Sequence, residues 1–124
     1  MDHTGKVLVV EDDVAVRQAV AEVLESEGFV AEQAGDGASA LALLQAPEAR
    51  PDVILLDLMM PVMNGWQFRT AQLQDPDLAE IPVVVMSAMD ASGVQADASI
   101  LKPFDVDQLV ATVERVARGP RQPN

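Results

Sequence analysis

The feature that most limits how this chain can fold is a set of short apolar runs with no alternation in them. Lys6–Val10, Val53–Leu56, Pro82–Met86 and the briefer Ile100-Leu101 are rich in β-branched residues, and helix-period segments lie between them. A strand with one wet face alternates polar and apolar residues. A continuous apolar run fits a strand covered on both faces, as in a parallel sheet. Phe29–Ala34 is a fifth candidate, and Glu32 and Gln33 within it mark it as an edge strand.

Between the runs the period becomes helical. Val16, Val20, Val23 and Leu24 recur at i, i+4, i+7 and i+8, with Gly28 as a stop. Ala40, Leu41 and Leu44 mark a second helix, entered through Asp36-Gly37 and ended before Pro47. Trp66, Phe68, Arg69 and Leu73 predict a third after Asn64-Gly65. Val106, Leu109, Val110, Val113 and Val116 give a last helix closed by Gly119-Pro120. Strands alternating with helices predict an α/β fold with right-handed crossovers, a doubly wound five-stranded parallel sheet of order 2-1-3-4-5. A chain of 124 residues holds one domain, expected over 1–118, with 119–124 as a flexible tail or the start of a linker.

One connection is short. Only the 13 residues Ser87–Ser99 lie between Met86 and Ile100, where such a crossover needs about 10–12 residues including its helix. Asp90–Asp97 contains a single large aliphatic residue, Val94, and a central Gly93. The stretch predicts a truncated or irregular crossover.

Composition removes whole classes of function. A net charge of −12 repels nucleic acid and anionic membrane surfaces. The absence of cysteine excludes disulfides and thiolate metal sites. No apolar run approaches the ~18–20 residues of a bilayer span, and the start has no basic segment followed by a long apolar one. A cytoplasmic domain without membrane insertion is expected.

In an open parallel sheet, ligands bind beyond the carboxyl ends of the strands. There the sequence places Glu11-Asp12 after strand one, Asp57 after strand three, Ser87 after strand four and Lys102 after strand five. Carboxylates brought together repel, and one takes up a proton unless a cation intervenes. A hard divalent ion such as Mg²⁺ suits oxygen ligands and keeps waters that a phosphate can replace. Such a pocket can receive a phosphoryl group, with Asp57 as nucleophile, Ser87 as hydrogen-bond donor and Lys102 neutralising charge. Each residue alone has an ordinary explanation. Asp13 suits a helix cap, Asp36-Gly37 a turn and cap, Met59, Met60 and Met63 loop packing, and Trp66 packing. The conjunction at one end of neighbouring strands is what singles out the set.

At this point the motifs resemble a known family. Val9-Val10-Glu11-Asp12, Leu55–Gly65, Val84–Ala88 and Leu101-Lys102-Pro103-Phe104 are similar to the receiver domains of bacterial two-component response regulators, over about Lys6 to Arg118. The resemblance implies a flavodoxin-like, chemotaxis-regulator-like fold. It implies Asp57 as the aspartate phosphorylated from a sensor histidine kinase or phosphotransfer protein. Glu11 and Asp12 become the acidic pair around Mg²⁺, with Asp12 the direct ligand of the two. Asp57 and the main-chain carbonyl of Met59 complete the protein ligands. Ser87 and Lys102 would engage the phosphoryl group, and a cis Lys102-Pro103 bond is expected. The domain would promote its own phosphorylation and dephosphorylation without turning over a separate substrate, and would then switch a downstream protein partner. Residues two beyond the aspartate and two beyond Ser87 would flank the hydrolytic water. Here they are Met59 and Met89, which predicts a long-lived aspartyl phosphate.

Two departures stand out. Ser99 occupies the position three before the lysine where the family usually has an aromatic residue. The Ser87-to-Lys102 stretch is also about two helical turns short, at the site of the helix normally used for output. A partner contact through the first or last helix is therefore expected. The alternative function is a receiver-like scaffold that binds a protein constitutively. A hydrolase would want a second acid two residues after its nucleophile, where Met59 stands. A flavin carrier would want a phosphate-cradling loop in place of Glu11–Asp13.

Overall fold

The structure is a computed structural model and describes residues 5–46, 48, 50–60, 63–87 and 96–118. Five strands, β1 (Lys6–Val10), β2 (Val30–Ala34), β3 (Val53–Asp57), β4 (Val83–Ser87) and β5 (Ala98–Leu101), form one sheet in the order β2-β1-β3-β4-β5. All four pairings are parallel. Among the described residues, four helices connect or follow them: α1 (Val14–Ser26), α2 (Gly37–Leu44), α3 (Gly65–Gln74) and α4 (Val106–Arg118).

The apolar runs are continuous because each strand feeds two cores. Val7, Val9, Leu55, Val84, Met86 and Ile100 face α1 and α4, where Val20, Leu24, Leu109, Val113 and Val116 meet them. Leu8, Val10, Ile54, Leu56, Val83 and Val85 face the other way, onto Ala40 and Leu44 of α2 and Phe68 of α3. Alternate side chains point to opposite faces of a strand, so the central strands must be apolar at every position. β1 and β3 sit inside the sheet and supply this on both sides.

Details depart from the sequence expectation where an edge or a polar partner intervenes. β5 borders the sheet, and its Leu101 is 61% exposed although the run Ile100-Leu101 reads as apolar. On α3, Leu73 is exposed, and the buried position belongs to Gln72. The Gln72 amide donates to the carbonyls of Leu78 and Ile81, both at 2.9 Å, and its oxygen accepts from Arg69 Nη1 at 2.8 Å. A fully satisfied amide replaces an aliphatic side chain there.

Helix ends follow local chemistry. Asp13, Asp36 and Asn64 cap α1, α2 and α3 by accepting from the N–H of Val16, Ser39 and Gln67. Gln67 returns a bond to the Asn64 N–H, completing a capping box. Gly28 ends α1 in the left-handed region, with φ 99°. The Lys102-Pro103 peptide is cis. Residues 88–95, which include most of the short crossover and Met89, lie outside the described residues, as do 119–124. The exit from the crossover is described. Asp97 N–H donates to the Val83 carbonyl at 2.9 Å, and Val83 N–H donates to Asp97 Oδ2 at 2.8 Å.

Candidate functional site

The register of the sheet assembles the site. Val10 is level with Leu56 and Asp57 with Met86, so Glu11, Asp57 and Ser87 emerge side by side at the carboxyl ends of β1, β3 and β4. Ser87 pairs with Leu101, and the Lys102 N–H donates to the Ser87 carbonyl at 2.7 Å. That bond extends the ladder by one step and brings the lysine to the same rim.

Burial separates the acids. Glu11, Asp57 and Ser87 are 2%, 3% and 2% exposed, whereas Asp12 is open to solvent. One carboxylate oxygen from each of Glu11, Asp12 and Asp57 lies within 4.8 Å of the others. The Lys102 ammonium donates to Glu11 Oε1 at 2.9 Å and to Asp57 Oδ1 at 3.4 Å. Main-chain donors add to this: Asp13 N–H reaches Glu11 Oε2 at 3.2 Å and Met59 N–H reaches Asp57 Oδ1 at 3.4 Å. The Met59 side chain is exposed while Met60 turns into the core.

These neighbours set the charge states. Burial and the Glu11 charge push the Asp57 carboxyl up to about 6, against the pull of Lys102 and the Met59 N–H. Burial would lower the Lys102 ammonium, but its bonds to Glu11 and Asp57 outweigh this and raise it. Three carboxylates against one ammonium leave excess negative charge, and every side-chain donor in the acid cluster is a hard oxygen. The cluster can therefore hold a divalent cation, and it is the one such group of three found among the described residues.

All the residues singled out from the sequence within the described chain, Glu11, Asp12, Asp57, Met59, Ser87 and Lys102, lie at this rim. Two that reasoning along the sequence missed support it. Arg17 on α1 donates from Nη1 to the Glu11 carbonyl at 2.9 Å and from Nε to Gln33 Oε1 at 3.2 Å. Nothing in residue spacing announces that contact. Gly65 starts α3 against the exit of β3, its N–H on the Leu58 carbonyl at 2.9 Å. A Cβ there would stand 2.7 Å from Leu58 Cα and 2.9 Å from the Asp57 carbonyl oxygen. The sequence places a helix start after Asn64-Gly65, but residue type alone does not show that the Gly65 Cα stands against Leu58.

A parallel sheet in this order with an acid cluster and a lysine at its carboxyl rim defines the flavodoxin-like signalling domains of the chemotaxis-regulator type. The sequence matches the family described as response regulator receiver domain over residues 7–114, and the chain belongs to that family. It is 35% identical to the alkaline phosphatase synthesis transcriptional regulatory protein SphR of Synechococcus elongatus, over 92% of this chain and 49% of that protein. It is 36% identical to the DNA-binding response regulator MtrA of Mycobacterium tuberculosis, over 95% and 53%. The chain thus spans about half the length of these curated relatives. Among solved structures, the Vibrio cholerae chemotaxis protein CheY4 superposes with a TM-score of 0.82 at 34% identity, covering 92% of this chain and 99% of that one. The receiver domain of a signal transduction histidine kinase from Syntrophus aciditrophicus gives 0.87 at 30% identity, covering 98% and 96%. Receiver domains are regulatory modules of two-component signalling and not enzymes with a turnover substrate. No helix among the described residues is long and apolar enough to cross a membrane.

Proposed function

We propose that the chain is the phospho-acceptor receiver of a two-component phosphorelay, with Asp57 taking a phosphoryl group from a phosphohistidine of a sensor histidine kinase or phosphotransfer protein. The observation that carries this reading is the bridging of two buried carboxylates, Glu11 and Asp57, by the single ammonium of Lys102 at 2.9 and 3.4 Å. Structural ion pairs seldom bury two acids for one base, because the second charge is left uncompensated.

In the transfer, an ionised Asp57 oxygen attacks phosphorus, the P–N bond breaks, and the imidazole nitrogen keeps the bonding pair and takes up a proton. Asp12, Asp57 and the Met59 main-chain carbonyl, with Glu11 beside them, would hold Mg²⁺, which would supply neutralising charge for the phosphoryl oxygens. Lys102 stays between Glu11 and the reacting carboxylate and receives the new negative charge. The Ser87 hydroxyl, one step along the rim, donates to a phosphoryl oxygen. Hydrolysis of the acyl phosphate by water resets Asp57. Phosphorylation trades a repulsive acid cluster for a bridged one and so biases a two-state equilibrium toward a different partner surface.

On this reading residues 1–118 form the receiver and 119–124 lead away from it, in the cytoplasm where the kinase acts. The output partner is a protein reached through α1 or α4, and this acidic domain does not itself bind nucleic acid. Exposure of the chain to acetyl phosphate with Mg²⁺, followed by intact mass, tests the proposal. Gain of one phosphoryl mass, absent in Asp57→Asn and in EDTA, is the expected result; no gain overturns it. A constitutive scaffold is the second reading. The exposed Ser99 favours it, because no aromatic side chain stands there to register a movement of Ser87. Equal partner binding by the wild type with phosphodonor and by Asp57→Asn would establish it.

A further inference from the structure

The turn that carries Glu11 and Asp12 is held at both main-chain polar groups of Glu11, which lie in the two peptides flanking that residue. The Glu11 N–H donates to the Ala34 carbonyl at 3.1 Å, which continues the β1–β2 ladder. Arg17 closes the other side. Its own N–H makes the first helical bond to the Asp13 carbonyl at 2.8 Å, and its guanidinium folds back to the Glu11 carbonyl and to Gln33 of β2. The guanidinium sits against Gly35, where a Cβ would stand 3.2 Å from Nη1.

A peptide is planar, so fixing the Glu11 carbonyl fixes the plane of the Glu11–Asp12 link. The two acid side chains leave from either end of that link. We propose that Arg17 is a positioning residue for the metal-binding acids: it presets the turn so that Glu11 and Asp12 present their carboxylates together to a divalent cation. The inference rests on the Mg²⁺-dependent reading above. The planar fork matters as well as the charge, since one guanidinium serves a main-chain carbonyl and a side-chain amide at once.

The sign of the effect makes the idea testable. If Arg17 were only a cation near the acids, removing it would strengthen Mg²⁺ binding, because a competing positive charge would be gone. If it positions them, removing it weakens binding, by about tenfold as for other groups that orient metal ligands. Mg²⁺ is titrated calorimetrically into the whole chain as wild type, Arg17→Ala, Arg17→Lys and Gly35→Ala. The expected result is about tenfold weaker binding in Arg17→Ala and most of that loss in Arg17→Lys. Gly35→Ala, which displaces the guanidinium while leaving Arg17 in place, should show a loss of a few fold. Acetyl phosphate labelling at saturating Mg²⁺ should return to within about twofold of wild type in each. Tighter or unchanged Mg²⁺ binding in Arg17→Ala, a lowered melting temperature with unaltered affinity, or full affinity in Arg17→Lys overturns the inference. Should Arg17→Ala not fold, Arg17→Lys and Gly35→Ala decide it. Failure of the wild type to take up Mg²⁺ overturns the functional reading, and this inference with it.

Discussion

Lys102 Nζ lies 2.9 Å from Glu11 Oε1, joining the end of β5 to the end of β1 across a separation of 91 positions, and 3.4 Å from Asp57 Oδ1 on the strand between. One ammonium thus serves two carboxylates that the sheet register forces together. Removing it should be felt twice. In Lys102→Ala the two acids remain buried without compensation, a loss of about 2–3 kcal/mol after allowing for the lysine's partial exposure. Urea unfolding in EDTA measures it, and added Mg²⁺ should recover part of the stability. Phosphorylation should fall even where the fold is restored.

The elevated Asp57 carboxyl ties metal-free stability to pH. Its pKa is near the ordinary aspartate value of 3.8 when unfolded and about 6 when folded, so the folded state favours the protonated form. The Asp57 contribution is full below about pH 4 and disappears as pH rises through 6, a change on the order of 2–3 kcal/mol. The difference in unfolding free energy between wild type and Asp57→Asn, followed from pH 4 to 7 in EDTA, isolates it. A flat difference would be evidence against the burial described. Mg²⁺ should reverse the trend, because it selects the ionised carboxylate.

Gly65 should tolerate no side chain. A Cβ 2.7 Å from Leu58 Cα meets backbone that cannot rotate away, and Gly65→Ala should cost about 1–3 kcal/mol in the manner of overpacked cores. Because the strained contact abuts Asp57, labelling by acetyl phosphate should slow as well. Asn64→Ala, which removes only the cap, should cost about 1 kcal/mol and leave labelling unaltered. The melting temperatures and labelling rates of the two variants make the comparison.

Gln72→Leu provides a structural contrast at a distance from the site. It takes the amide donor from the Ile81 carbonyl and leaves the Leu78 carbonyl with only the Ile81 N–H at 3.1 Å, at about 1–3 kcal/mol for a polar group left unpaired. Denaturant midpoints should fall while phosphorylation of the folded fraction is retained.

On the proposed reading, Met59 should govern the lifetime of the aspartyl phosphate. Its exposed thioether side chain stands two residues past Asp57 and cannot orient water by strong hydrogen bonds. Met59→Asn should shorten the half-life of the aspartyl phosphate several-fold, read as loss of phosphoryl mass after the donor is removed. Equal decay rates would contradict this.

The sheet was legible because a strand buried on both faces must be apolar throughout, and Val53–Leu56 or Pro82–Met86 can do little else. The rim acids and Lys102 were legible for a related reason: a strand's end fixes where its next residue stands. What escaped was carried by contacts between elements. Arg17 reaches back over its own helix turn, Gln72 fills an apolar slot with a paired amide, and Gly65 is required by a backbone on another element. Leu73 and Leu101 misled for the opposite reason, since apolar character alone does not say whether an element covers them.

β3 is hydrogen-bonded on both flanks and has all five residues buried, Asp57 among them. A stem clamped in that way cannot recoil when bulk and charge are added at its tip. The disturbance must be passed sideways, to the chain beyond the tips of the neighbouring strands. On the proposed reading, whatever this domain tells its partner would therefore start at the rim and travel with the turns that lead from β1 and β5 into α1 and α4.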